Sequence, residues 1–240
     1  MNEFQERLIS FVKDFQEIMD KIVFVGGATL LFYIDKDLKG IPDIRFTEDI
    51  DIAINIKTKS EYYKIQELLK SKGYKEVADS NIISRFRNKD IVIDIIPIEE
   101  KILGFTNRWY KRGFDKTMII EIGDREKHKI KILSPPYFLA SKLEAFFSRG
   151  IKDPYISQDL DDIVFILNVR KNIKKEVLES NDLELQKFIS TGMKKILTNQ
   201  KVKDFIQSCF YNQPERANTI FNRIKTIIKI SINENEEEYE

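Results

Sequence analysis

The sequence has little of several residue types on which whole classes of protein depend. With one cysteine, Cys209, in 240 residues, it cannot form an internal disulfide, which is typical of proteins from reducing compartments. With one histidine, His128, it cannot build a histidine-based metal site. Its net charge of +1 gives no global attraction for a polyanion, so any nucleic-acid contact would depend on a local basic patch.

Long apolar runs are also missing. No run approaches the ~20 residues that a membrane-spanning helix needs, and the first residues, MNEFQERLISFVKDF, are charged and amphipathic rather than like a signal peptide. Hydrophobic residues still make up 42% of the chain, enough for a substantial core. We therefore expect a cytoplasmic protein without a membrane partner, and we expect Cys209, in the apolar segment KDFIQSCFY, to lie in the core.

The hydrophobic pattern changes once along the chain. Up to about residue 133, short strand-like runs alternate with helical segments, whereas every segment after the Ser-Pro-Pro at 134–136 has helical spacing. This predicts an α+β fold: a domain with a mixed sheet over residues 1–133, followed by a helical bundle domain over residues 134–240.

Two acidic residues interrupt a strand whose other face is apolar. In the segment DIDIAINI, alternate residues from Ile50 to Ile56 share one face, and Asp49 and Asp51 share the other. Their Cα atoms would lie about 7 Å apart, at a rise of ~3.3 Å per residue, so a divalent cation between them would relieve their repulsion. Mg²⁺ favours one or two carboxylates together with substrate phosphates. The alternative is an edge strand with two solvated acids, paired with Lys or Arg.

Two further features favour a site. Gly26 and Gly27 end the run IVFVGG, and paired glycines at a strand-to-helix turn let backbone N–H groups approach a phosphate. Asp94 is a single acid in the run IVIDIIP, costly to bury without a partner; the alternative is a strand-end acid in a salt bridge. A third carboxylate on a nearby strand is what two-metal phosphoryl or nucleotidyl transfer requires.

The order of these motifs resembles the AbiEii/AbiGii-type toxin branch of the polymerase-β-like nucleotidyltransferase superfamily, over roughly residues 22–165. Similar proteins often carry a histidine where this chain has Gln158. The resemblance implies a polymerase-β-like nucleotidyltransferase domain ahead of the helical bundle. The matching residues are Gly26, Gly27, Arg45, Thr47, Asp49, Asp51, Asp94, Lys142, Arg149, Asp153, Asp159 and Asp162.

The resemblance implies a metal-dependent enzyme that moves a nucleoside monophosphate from an NTP to a hydroxyl of RNA, such as tRNA, or of a protein. It also implies the toxin of a toxin–antitoxin or phage-defence system, with an antitoxin as partner. Asp49, Asp51 and Asp94 would bind two Mg²⁺ ions, or Mn²⁺, and Asp94 would activate the acceptor hydroxyl. Lys142 would neutralise charge on the triphosphate as a catalytic residue. The implied nucleotide-binding residues are Gly26, Gly27, Arg45, Thr47, Lys142, Asp159 and Asp162.

Other interpretations stay open at this point. A non-catalytic nucleotide- or partner-binding protein could use the same fold, although all three carboxylates are present. A metal-dependent nuclease could use the same acids, although it would have no triphosphate for the glycine turn to hold. Lys142 could be a surface lysine packed beside apolar neighbours, and Asp159 and Asp162 a solvated helix start. Trp109, in TNRWYKRGF, could stack on single-stranded RNA or lie on a packed helix face.

Overall fold

The computed structural model describes residues 3–38, 47, 49–77 and 84–230. These residues form two compact units that divide between Ser134 and Pro135. The first contains the sheet, and the second contains the helices after residue 134. The early segment 33–38 belongs to the second unit, unlike in the prediction, because Asp35 accepts hydrogen bonds from the Arg170 guanidinium (3.1 Å) and the Lys171 N–H (2.7 Å).

A mixed sheet, with seven strands in the described residues, organises the first unit. Its spatial order is β3-β4-β5-β2-β1-β7-β6; β2 pairs in parallel with β5 and β1 with β7, and the other neighbours are antiparallel. The strands are β1 (Ile22–Val25), β2 (Asp49–Ile54), β3 (Lys75–Glu76), β4 (Arg85–Asn88), β5 (Ile91–Pro97), β6 (Thr117–Ile122) and β7 (His128–Leu133). A mixed sheet followed by helices confirms the predicted fold class.

The central position of β2 settles how its two faces are used. Ile50, Ile52 and Ile54, with Ile56 just beyond the strand, are each at most 1% exposed, as the alternating pattern predicts. The opposite face carries Asp49 and Asp51, which are partly exposed. The edge-strand interpretation of these acids is therefore wrong, because β2 has a hydrogen-bonded neighbour on each side.

The helices of the first unit lie before β1 and between its strands. Helix α2 shows how locally they are encoded: the Thr58 side chain accepts a hydrogen bond from the Glu61 N–H, and the Glu61 carboxylate accepts one from the Thr58 N–H, which forms a capping box. The α-helices are α1 (Glu3–Asp14), α2 (Lys59–Ser71) and α3 (Arg108–Gly113), and the 3₁₀ helices are Gln16–Lys21, Gly27–Tyr33 and Glu100–Ile102.

Helix α5 forms the core of the second unit, since each of its residues from Asp162 to Val169 is buried. Helix α4 starts with two prolines, which suit the first helical positions because their missing N–H groups would be unpaired there. The helices are α4 (Pro135–Ala145), the π-helical turn Phe146–Gly150, the 3₁₀ turn Pro154–Ile156, α5 (Gln158–Val169), α6 (Ile173–Glu179), α7 (Leu183–Thr198), α8 (Gln200–Cys209) and α9 (Pro214–Ile228).

Two side chains differ in burial from the alternatives raised by the sequence. Cys209 is exposed at the end of α8, so the prediction that it lies in the core is wrong. Trp109 is fully buried and lies on the packed face of α3, so its ring is not presented for stacking on RNA. No helix in the described ranges combines the length and apolarity needed to cross a membrane.

Candidate active site

Strand pairing brings the three predicted carboxylates together on one face of the sheet. In the parallel register of β2 and β5, Asp51 lies opposite Asp94 and Asp49 lies opposite Val92. Side chains directly opposite each other in a sheet share a face, and so do residues two apart along a strand. Asp49, Asp51 and Asp94 therefore share one face, although 43 positions separate Asp51 from Asp94 in the sequence.

The glycine turn after β1 lies directly against Asp51. Gly26 has φ +74°, a conformation that side chains disfavour. A Cβ at this position would lie 1.9 Å from Asp51 Oδ2, so backbone and carboxylate approach each other more closely than any other residue would allow. Gly26 is thus required twice, for its backbone conformation and for the space that the Asp51 carboxylate occupies.

Thr29, which the sequence analysis did not identify, fixes the orientation of this turn. Its N–H and its hydroxyl both donate to the Gly26 carbonyl, at 3.3 and 2.9 Å, and its side chain is buried. The C=O and the following N–H of a planar trans peptide point in opposite directions. Because the Gly26 C=O is directed at Thr29, the N–H of Gly27 points away from it, at the start of the helix Gly27–Tyr33.

Arg85 is the second residue of this candidate site that the sequence analysis missed. Its Nε and Nη2 donate to the two carboxylate oxygens of Asp94, at 2.8 and 2.7 Å, and Nη2 also donates to Asp49 Oδ2 at 2.6 Å. Asp94 is 4% exposed, so the guanidinium supplies the charge partner that a buried carboxylate needs. The hydrogen bonds to Asp94, followed by the charges of Asp94, Asp49 and Asp51, raise the pKa of Arg85 above its ordinary value, and the side chain stays charged.

The register of the hairpin formed by β4 and β5 is enough to identify Arg85 as the partner of Asp94. β4 and β5 are joined by a tight turn in which Lys89 has φ +50°, and counting outward from the pair Asn88–Ile91 places Arg85 opposite Asp94. Once this turn is placed, the pair follows from it by counting. The sequence analysis left Asp94 between a site acid and a salt-bridged acid, and the structure makes it salt-bridged.

The donor set can be tested against a divalent cation. Asp49 and Asp94 each place an oxygen within 2.7 Å of one nitrogen of Arg85, so these two carboxylates converge on a single cationic position. Oxygen donors of this kind suit Mg²⁺. As the side chains lie, however, no group of three acidic, histidine or cysteine residues within the described part of the chain could hold an ion in common.

Three further residues, Arg45, Thr47 and Gly27, were predicted to bind the nucleotide. Arg45 lies outside the described residues. Thr47 is described, and its hydroxyl oxygen is buried with no hydrogen-bond partner among the residues that the structure covers. Gly27 starts a 3₁₀ helix directly after the turn.

The predicted residues of the helical unit form a separate ion-pair cluster. Lys142 on α4 lies 2.6 Å from Asp162 Oδ2 and 3.4 Å from Asp159 Oδ1 on α5. Arg149 holds both oxygens of Asp159, at 2.7 and 3.0 Å. Asp159 is 4% exposed and Asp162 fully buried, so neither is a solvated helix-start acid and Lys142 is not a surface lysine. Asp153 is exposed and caps the turn Pro154–Ile156.

Comparison with known proteins gives a family. The chain matches the protein-family model described as "Nucleotidyl transferase AbiEii toxin, Type IV TA system" over residues 11–223, a range that includes both side-chain clusters. Among the curated proteins compared, none matches the chain. Because the match covers far more than half of the sequence, the chain belongs to the AbiEii nucleotidyl transferase toxin family and is a nucleotidyltransferase enzyme.

Proposed function

We propose that the protein uses Mg²⁺ to transfer a nucleoside monophosphate from an NTP to an acceptor hydroxyl. The observation that carries this proposal is the parallel register of β2 and β5, which aligns Asp51 with Asp94 and leaves Asp49 on the same face. The glycine turn against Asp51 adds a backbone suited to phosphate. A nuclease would have no triphosphate for the turn to hold, and a non-catalytic binder would not need all three carboxylates.

The carboxylates would hold the metal and handle the proton. Asp49, Asp51 and Asp94 would be the ligands, and the bound ions would neutralise charge developing on the triphosphate. The acceptor oxygen attacks the α-phosphorus as the bond from that phosphorus to the pyrophosphate breaks. Asp94 accepts the hydroxyl proton in this scheme, and pyrophosphate leaves with the bonding electron pair.

The N–H groups of the glycine turn would bind the phosphates. With the Gly26 carbonyl engaged by Thr29, the turn presents an N–H rather than a C=O at the start of the following helix, and donors there attract anions. Thr47, with its buried hydroxyl oxygen, is a further candidate contact for the nucleotide.

For the helical unit we propose that Lys142 binds the nucleotide and that the two aspartates position it. A carboxylate repels a triphosphate, so Asp159 and Asp162 act more simply by holding the Lys142 ammonium in place than by touching phosphate themselves. The acceptor is an RNA, such as tRNA, or a protein. Because the description of the family names a type IV toxin–antitoxin system, we include an antitoxin among the partners.

The test is transfer of label from each α-³²P-NTP to total tRNA or to protein, with Mg²⁺. Wild type is compared with the Asp49→Asn/Asp51→Asn double variant, and with Asp90→Asn in the exposed β4–β5 turn as a carboxylate control. We expect wild type and Asp90→Asn to label the acceptor and the double variant to lose at least ~10³-fold in rate. Undiminished transfer by the double variant would refute the proposed site.

A further inference from the structure

The Arg85 guanidinium lies where a cation between Asp49 and Asp94 would lie. One of its nitrogens, Nη2, is 2.6 Å from Asp49 Oδ2 and 2.7 Å from Asp94 Oδ2, and Nε holds the second oxygen of Asp94. The two carboxylates thus point at one cationic position, and an internal side chain holds it.

Arg85 can leave this position only by moving. An arginine does not lose its proton in a protein, so the guanidinium gives up the position only when its side chain turns away. The side chain is 22% exposed and has several rotatable bonds, so it can swing out toward solvent while β4 stays paired. Asp94, which is almost fully buried, then needs another cation, because a buried carboxylate left alone is costly.

We propose that Arg85 is an internal competitor of the divalent cation: metal binding at Asp49 and Asp94 requires the guanidinium to release them. This inference rests on the proposed metal dependence and adds a residue that sets metal affinity. Without nucleotide, Arg85 holds the two carboxylates and the protein binds metal weakly. A triphosphate brings negative charge that can receive the released guanidinium, so metal and NTP bind with positive cooperativity.

Substitutions of Arg85 and Arg87 distinguish direct competition with the metal ion from the general effect of removing a positive charge. Arg85→Gln removes the guanidinium from the carboxylates. Arg87→Gln removes the same charge from the same face of the same strand, at an exposed position two residues farther along. Mn²⁺ binding without nucleotide, followed by the electron paramagnetic resonance signal of the free ion, gives the affinity. We expect Arg85→Gln to bind Mn²⁺ about tenfold or more tightly than wild type, and Arg87→Gln to change it less than about threefold because that charge is exposed and screened.

Thermal unfolding provides a readout that does not depend on activity. Without metal, Arg85→Gln should unfold at a lower temperature than wild type, because Asp94 has lost its counter-charge. Added Mn²⁺ should raise its unfolding temperature by more than it raises that of wild type. Arg85→Lys keeps the charge but cannot form the two-pronged contact with Asp94. It should therefore unfold at a higher temperature than Arg85→Gln and bind Mn²⁺ with intermediate affinity.

The outcomes distinguish this inference from the proposed function. If wild type binds Mn²⁺ and neither Arg85 variant binds it more tightly, the competition is refuted and the metal site stands. If no variant binds Mn²⁺, with or without NTP, both the competition and the proposed metal dependence fail. Adding Asp49→Asn to Arg85→Gln should abolish the gain in affinity, and a gain that persists there would place the ion elsewhere and refute the inference.

Discussion

Substitution of Gly26 by Ala tests whether the glycine turn positions Asp51. Two effects are expected from the structure. The backbone at φ +74° costs an alanine roughly 1–2 kcal/mol. The new Cβ would lie 1.9 Å from Asp51 Oδ2, and contacts below 3.0 Å are essentially not tolerated, so the carboxylate or the turn must move by at least 3.0 minus 1.9, or 1.1 Å.

A displacement of about 1 Å in a reacting group lowers the rate by roughly 10²-fold. We therefore expect Gly26→Ala to retain its fold, with an unfolding temperature lower by roughly 2–8 °C, and to lose at least about 100-fold in nucleotidyl transfer. Label transfer from α-³²P-NTP and thermal unfolding, measured on the same preparation, report the two effects separately.

Gly104→Ala is the matched control. Gly104 has φ +82°, in the same left-handed region, but a Cβ there would meet no atom within 4 Å. It should lower the unfolding temperature to a similar degree without affecting transfer. If Gly26→Ala transfers nucleotide within a few-fold of Gly104→Ala, the turn does not position Asp51 for catalysis and the argument fails.

Two further predictions concern stability. Asp162→Asn should lower the free energy of unfolding by about 3 kcal/mol in urea, since Lys142 loses a fully buried counter-charge; Asp153→Asn, at an exposed cap, is the control, and equal effects would contradict this. Burial raises the pKa of Tyr62 from 10.0 to about 12. Between about pH 10 and 12 the Tyr62 hydroxyl therefore ionises in the unfolded chain but not in the folded protein, and the free energy of unfolding should fall. Tyr62→Phe should remove about 2–3 kcal/mol of that fall, whereas the exposed Tyr63→Phe should not; unchanged pH profiles would refute it.

Local patterns predict much of this fold because the determining contacts are local. The helical spacing of the segments after residue 136 is present in the sequence itself, and the capped helix α2 after Thr58 is held by contacts three residues apart. The β4–β5 hairpin follows from its turn, and the pair Arg85–Asp94 follows from the hairpin by counting.

Non-local packing limits prediction elsewhere. The register that aligns Asp51 with Asp94 joins two parallel strands that are separated in the chain by α2, β3 and β4, and no sequence pattern within either strand fixes that alignment. The exposure of Cys209 depends likewise on which face of α8 its neighbours cover. Lys142 was identified by resemblance alone, because its two buried partners lie on another helix.

The two interpretations of Asp49 and Asp51 are therefore not exclusive. Asp49 is paired with Arg85, as one interpretation required, but both acids lie on a central strand beside a third carboxylate, as the other required. Arg85 supplies one positive charge to the two carboxylates that it contacts, Asp49 and Asp94. Stability gives no reason for grouping three carboxylates on one face, since buried ion pairs contribute little compared with apolar packing. The metal that we propose for this face would give the grouping a purpose, with Arg85 as the resting partner of Asp49 and Asp94 and the metal as their working partner.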